Sequence, residues 1–301
     1  MKRVALATCV EALPLDGDMP ALLDACAGVG LDAEAVCWDD PAVRWDQYDA
    51  VVLRSTWDYV FRLPRFLHWV DAVSQSTRLL NRRELVRWST DKHYLADLGR
   101  VGVPVVPTAF VEPGDDSRRA VEAALAGKFG GDTLAPPVEI VAKPAVGAGS
   151  KDALRLSRRE AERARLHVEH LLAEGRSVLL QPFLPAVDEH GETAIVYIDG
   201  RVSHAIRKGP LLRPGAAAVE GLFATEDIRP REPSRDEGRV AKAAFNAIAG
   251  ETPLYARVDL LAAPDGEPRV LELELVEPSL FFDCGAGSAL RFAEALRDRL
   301  G

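Results

Sequence analysis

The stretch YARVDLLAAPDGEPRVLELELVEP, beginning at Tyr255, restricts this chain more than any other, because two runs of period-two alternation flank an Asp265-Gly266 turn. Such a pattern folds as an antiparallel hairpin with successive side chains on opposite faces. Arg257 and Asp259 then share one face of the first strand, and Glu272 and Glu274 share one face of the second. Centring the turn on Asp265-Gly266 places Asp259 opposite Glu272 and Arg257 opposite Glu274. Three carboxylates would crowd an area that Arg257 neutralises only in part, and like charges across a sheet are unfavourable. A hard divalent cation, bound by carboxylates together with substrate phosphates, would relieve the crowding. The ordinary alternative is the solvated outer face of an amphipathic hairpin, and this segment alone does not choose between the two.

The rest of the chain supplies the setting. Its 301 residues, 48% apolar and 28% charged, are enough for about two soluble domains with a buried core. The 46 acidic residues outnumber 37 basic ones, and a net charge of -9 argues against a broad nucleic-acid surface. Cys9, Cys26, Cys37 and Cys284 form neither a C-x-x-C pair nor a zinc spacing, which points to a reducing, cytoplasmic setting. The opening MKRVALATCV breaks at Glu11, and no stretch reaches the ~20 apolar residues of a membrane span, so neither export nor anchoring is expected.

Apolar runs at 3–9, 33–37 and 50–54, with a helix over 19–30, predict a parallel sheet covered on both faces. Ligands of such sheets lie beyond the carboxyl ends of the strands. There Arg54, Thr56, Trp57, Asp58 and Tyr59 gather, either as a pocket or as a cap on the core. Helices over 62–74, 82–88 and 91–100 and a strand at 78–80 complete a first domain, 1–100. Residues 101–180 read as a small α+β unit: strand 105–112, helix 117–127, strand 138–143, a glycine loop at 145–151, strand 153–156 and helix 158–174. Residues 181–301 read as antiparallel, with a hairpin at 192–207 around Asp199-Gly200, the hairpin described above, and a last helix over 287–299. Residues 208–236, rich in Gly, Pro and Arg, read as one long irregular loop.

Two further segments bear on chemistry. Lys143 leaves an apolar strand and is followed by PAVGAGSK, whose small residues let backbone approach a phosphate, although the spacing matches neither common glycine-rich signature. In LLQPFLPAVDEHGET, an apolar strand runs into Gln181, Phe183 and Leu184, a connector suited to a flat heterocycle, and then into Asp188, Glu189 and Glu192.

Taken in this order, these segments resemble the ATP-grasp superfamily, most closely its glutathione-synthetase-like branch, over about residues 80–283. The resemblance implies an ATP-grasp fold: an N-terminal parallel-sheet domain, a small central α+β subdomain and a C-terminal antiparallel-sheet subdomain. It further implies ATP with Mg2+, for which Mn2+ could substitute. Lys92 and Lys143, with the loop at Gly149 and Ser150, would grip the phosphates; Gln181, Phe183 and Leu184 would contact adenine, and Glu192 the ribose. Asp259, Glu272 and Glu274 would hold the metal, Glu274 standing where the commoner pattern has Asn. Lys208 and Arg257 would neutralise the transferring phosphoryl group. The implied reaction activates a substrate carboxylate as an acyl phosphate, which an amine then attacks, with no side-chain nucleophile.

The RSTWDY, QPFLPAV and LELELVEP segments are similar to a group that includes the cyclo-ligase converting O-ureido-D-serine to D-cycloserine, an antibiotic-forming step. That likeness implies a small amino-acid-like substrate held in part by Arg54, Thr56, Trp57, Asp58 and Tyr59, with no nucleic-acid or membrane partner, and leaves a homo-oligomer open. An intermolecular ligase joining two amino acids is the alternative within the branch. An ATP-binding module without catalysis is a second rival, but it would be expected to have lost a metal carboxylate. A nicotinamide-dependent oxidoreductase is disfavoured because ATCVEALPLDGD, after the first strand, lacks the glycine fingerprint.

Overall fold

The computed structural model describes residues 1–212 and 227–301. Four strands, β1 (Lys2–Thr8), β2 (Leu31–Cys37), β3 (Ala50–Ser55) and β4 (Arg78–Leu80), form a parallel sheet in the order β2-β1-β3-β4. All six residues of β3 are buried, as a strand covered on both faces requires. One face packs Ala5, Val51 and Leu53 against Phe66, Val70 and Val73 of α2 (Leu63–Ser76). The other packs Val4, Leu6 and Val52 against α1 (Asp18–Gly28).

The next helix, α3 (Arg83–Ser89), still packs Val86 against α2 of this domain, but α4 (Tyr94–Arg100), which the sequence division also placed here, does not. Tyr94, Leu95 and Leu98 pack instead with Val258 and Leu273 of the last sheet, because the apolar side of α4 faces that sheet.

The central sheet is antiparallel, in the order β5-β10-β8-β9, from β5 (Ala109–Val111), β8 (Glu139–Pro144), β9 (Leu154–Ser157) and β10 (Val178–Pro182). Between β5 and β8 lie α5 (Ser117–Leu125) and a small hairpin, β6 (Lys128–Phe129) with β7 (Asp132–Thr133), which turns on Gly130-Gly131 and which the sequence expectation did not include. Ile140 and Ala142 of β8 pack with α5 and α6 (Ala161–Ala173), so the period of two turns Val141 and Lys143 to the opposite face. The strand expected over 105–112 shrinks to three residues. Pro104 and Pro107 interrupt the ladder by lacking N–H groups, and Val105 makes only an isolated bridge to Val270.

The third sheet, in the order β13-β12-β11-β14-β15, comprises β11 (Glu192–Ile198), β12 (Arg201–Lys208), β13 (Ile228–Pro230), β14 (Tyr255–Ala262) and β15 (Pro268–Glu274). A short helix α7 (Ala186–His190) precedes it. Gly191, at φ +69, then lets the chain pass so close to Lys208 that a Cβ would lie 2.3 Å from its carbonyl oxygen. The loop expected over 208–236 is corrected at its far end. Strand β13 pairs with β12, and α8 (Arg235–Asn246) begins at a Ser234–Glu237 capping box that was present in the sequence and not read. Residues 213–226 of that expected loop lie outside the described residues.

The final helix α9 (Ser288–Leu300) places Phe292 and Leu296 between the first sheet and Tyr255 of the third, so it joins the two ends of the chain. Among the described residues no helix is long and apolar enough to cross a membrane.

Candidate active site

The β14–β15 hairpin positions the charged centre. Arg257 pairs with Glu274 and Asp259 with Glu272, the register expected from the sequence, but the turn itself is not the two-residue one assumed. The Ala263 N–H donates to the Glu267 carbonyl, enclosing three residues with Gly266 at φ +82, and Leu260 pairs with Val270. A bulge at Leu271 inserts one residue and restores the expected partners beyond it.

Below the cleft floor, Asp259 is 1% exposed. It accepts hydrogen bonds from Arg257 Nε (2.8 Å) and Nη2 (2.9 Å) and from Lys208 Nζ (2.7 Å). Burial alone would raise its pKa, but Arg257 and Lys208 hold it well below the usual carboxylate range. Arg257 also reaches Glu274 at 2.5 Å and the Ser279 carbonyl at 2.9 Å, and Lys208 pairs with Glu192 at 2.8 Å.

Above it, Glu272 meets Lys143 at 2.8 Å and Lys92 at 3.9 Å, and Lys92 Nζ donates to the Gly147 carbonyl at 2.7 Å. The two lysines, read separately from the sequence, therefore converge on one carboxylate beside the glycine loop. Burial opposes ionisation of Glu272, yet Lys143 and Lys92 bring its pKa down to about 2. Burial pushes Glu274 up to about 7 despite Arg257, and it also pushes Glu192 up. The loop turns through Gly149 and Ser150, at φ +61 and +57.

These groups line one cleft with an empty volume of about 1510 Å3 including its mouth. One end is an apolar slot of Val106, Val141, Phe183, Leu184, Val187 and Leu261. Gln181 lines it and donates to Thr108 Oγ1 at 2.9 Å. Arg155, which sequence reading did not single out, lies 3.5 Å above the Phe183 ring and is held by Glu139 and Asp188. Nothing in the local pattern RLSRRE marks it; only β9 pairing with β8 brings it there.

At the other end stand Trp57 and Tyr59, from a short 3-10 turn after β3 (Trp57–Phe61). The other three residues assigned to a substrate pocket are corrected, because the structure turns them away from the cleft. Arg54 is 1% exposed, pairs with Asp18 at 3.6 Å and donates to the Pro278 carbonyl at 3.0 Å. Thr56 is fully buried, and Asp58 accepts from Trp38 Nε1 at 2.8 Å and from Arg62. They brace the core behind the pocket. Glu277, which sequence reading passed over, does face the cleft.

The carboxylates fit a divalent metal only in part. Glu272 and Glu274 line the cleft, whereas both Asp259 oxygens are taken by Arg257 and Lys208. Among the described residues, the one trio that brings ligand atoms within 4.8 Å of one another is Cys9, Glu11 and Asp58, outside the cleft. Two carboxylates completed by phosphate oxygens is a donor set suited to Mg2+.

A family described as the N-terminal domain of D-cycloserine synthetase DcsG matches residues 4–81. The cycloserine biosynthesis protein DcsG of Streptomyces lavendulae is 46% identical over 305 residues, covering 99% of this chain and 98% of that protein. The crystal structure of D-cycloserine synthetase DcsG superposes with a TM-score of 0.91 at 44% identity, covering 99% of this chain and 100% of the other. The ATP-grasp ligase PsnB, complexed with a minimal precursor, shares the fold at a TM-score of 0.63 and 18% identity over 99% of both chains. The D-alanine–D-alanine ligase of Bacillus anthracis shares it at 0.66 and 13%, over 100% of this chain and 97% of that one. This chain belongs to the DcsG family, and it shares its fold with the ATP-grasp ligase PsnB and D-alanine–D-alanine ligase.

Proposed function

We propose that the enzyme closes the ring of O-ureido-D-serine to give D-cycloserine, converting ATP to ADP and phosphate. The observation that carries this reading is the 46% identity to DcsG along 99% of the chain, which spans both ends of the cleft. Adenine would enter the apolar slot beside Gln181, Phe183 and Leu184. Glu192 would reach the ribose only by giving up part of its pairing with Lys208. Lys92 and Lys143, with the backbone of the loop at Gly149 and Ser150, would take the phosphates in exchange for their present carboxylate and carbonyl partners. Glu272 and Glu274 would hold Mg2+, with Asp259 joining only if phosphate draws Lys208 away. Bound Mg2+ would neutralise charge on the phosphates.

The substrate carboxylate attacks the γ-phosphorus, giving an acyl phosphate and ADP. Lys208 and Arg257 offset the negative charge that gathers around the transferring group, a mainly electrostatic contribution. The oxygen-linked nitrogen of the same molecule then attacks the acyl carbon, phosphate departs, and that nitrogen loses its proton. Mass balance requires one further water to remove the carbamoyl group as carbon dioxide and ammonia. Holding both reacting groups in one molecule avoids the entropy cost of assembling two.

The test is incubation with O-ureido-D-serine, ATP and Mg2+, with cycloserine, ADP, phosphate and ammonia each measured. Equal amounts of all four are expected. Turnover that requires two amino acids and releases no ammonia would reassign the chain as an intermolecular ligase.

A further inference from the structure

Among the described residues, four carboxylates line the cleft: Glu192, Glu272, Glu274 and Glu277. Three already have a cation within ion-pair distance, namely Lys208 for Glu192, Lys143 for Glu272 and Arg257 for Glu274. Among the described residues no lysine, arginine or histidine lies within 4.0 Å of Glu277. Its side chain has the Tyr59 hydroxyl as hydrogen-bond partner, and its carbonyl accepts from Trp57 Nε1 at 2.9 Å.

The segment that carries Glu277 is held from both sides. Arg54 binds the Pro278 carbonyl at 3.0 Å, and Arg257 binds that of Ser279 at 2.9 Å. Asp18 accepts the N–H groups of Leu280, Phe281 and Phe282 at 2.6, 3.1 and 2.8 Å. Glu277 is therefore a fixed carboxyl group at the Trp57–Tyr59 end of the cleft, opposite the nucleotide slot, and Lys92 and Arg257 act on it only from beyond ion-pair distance.

We propose that Glu277 is a specificity-determining residue that pairs with the α-ammonium group of the substrate. This rests on the ring-closure reading, which supplies the substrate. Of its polar groups, the carboxylate must face the phosphates and the attacking nitrogen must be uncharged. The α-ammonium is the remaining charged group, and its sign is opposite to that of an ionised Glu277. Burial and the nearby charge of Glu274 push the Glu277 pKa up to about 8, so an arriving cation would be the partner that ionises it.

The experiment compares ATP-dependent phosphate release by the full-length enzyme on O-ureido-D-serine and on 3-(ureidooxy)propanoate, the same molecule without its amino group. A charge-assisted contact predicts that the wild-type enzyme favours the amino substrate by about 10- to 100-fold in kcat/KM. Glu277→Gln should raise KM for O-ureido-D-serine by a similar factor, leave kcat nearly unchanged and abolish the preference. Equal kcat/KM for the two compounds in the wild-type enzyme overturns the inference without need of a variant. A variant that keeps the preference, or one that loses kcat at unchanged KM as a proton acceptor would, also overturns it while cycloserine formation by the wild type leaves the ring-closure reading standing. Failure of the wild type to form cycloserine removes both.

Discussion

Two ion-pair networks occupy the same hairpin and meet different fates. Asp259 lies beneath the cleft floor at 1% exposure, clasped by Arg257 and Lys208, whereas the Glu272 side chain is 21% exposed and is shared by two lysines whose ammonium groups line the cleft. Cross-strand pairing puts the two carboxylates directly opposite each other, so local sequence does not distinguish them. Depth does. A buried carboxylate with two cations has no water to replace either of them, and removing one member strands the others. A carboxylate at the cleft wall can exchange its lysines for a ligand, because an arriving phosphate offers those lysines an equivalent contact. Asp259 is thus read as the scaffold that fixes Arg257 and Lys208 at the cleft, and the upper network as a set of charges parked for ATP.

The sharpest way to break this contrast is Glu272→Gln. If the upper network is working machinery, the variant should lose about 10²- to 10³-fold in kcat, the range for a removed electrostatic contact at a reacting centre, while its thermal midpoint scarcely moves. Full activity at saturating ATP would take Glu272 out of the phosphate and metal site.

Asp259→Asn should do the reverse in stability. Leaving Arg257 and Lys208 without their buried carboxylate is expected to cost roughly 3–5 kcal/mol, read as a lower denaturant midpoint than that of Glu272→Gln. Equal midpoints for the two variants would erase the distinction between scaffold and exchangeable charges.

Lys143→Ala should weaken a non-hydrolysable ATP analogue by about 10- to 100-fold, measured by calorimetry. Unchanged affinity would mean that Lys143 serves Glu272 alone.

The smallest expected effect is a slope. Glu277 titrates at about 8 in the folded chain against an ordinary 4.5, chiefly through burial. Folding therefore takes up a proton between those values. The associated stability is fully present below the lower value and is lost as pH rises through the upper one. Glu277→Gln should flatten the fall in thermal midpoint between roughly pH 5 and 8; an identical slope in both proteins would mean that Glu277 is not held protonated.

Much of the architecture follows from local pattern. Continuous apolar runs require a two-sided parallel sheet, and Asp199-Gly200 with period-two flanks requires a hairpin, because backbone geometry over a few residues dictates both. Where local chemistry was overlooked, the signal was nonetheless there, as in the Ser234–Glu237 box that starts α8. The Asp259–Glu272 pairing is a different case. It matched the expectation only because a three-residue turn and a bulge at Leu271 offset each other, and packing of Leu271 at the cleft with Val106 and Phe183 is a long-range matter.

The sequence by itself determined which residue types the site contains: two lysines, a glycine loop, an aromatic connector and alternating carboxylates, each set by spacing within a single element. Only the tertiary structure decided which of them meet. Arg54, Thr56 and Asp58 neighbour Trp57 and Tyr59 in the chain, yet β3 itself carries Arg54 toward Asp18, and the turn after it buries Thr56 and sends Asp58 toward Trp38 and Arg62. Lys92 and Lys143, 51 residues apart, reach one carboxylate near the other end of the chain. Burial and partner choice depend on the distances between elements, and a one-dimensional pattern carries orientation within an element but not its depth beneath another.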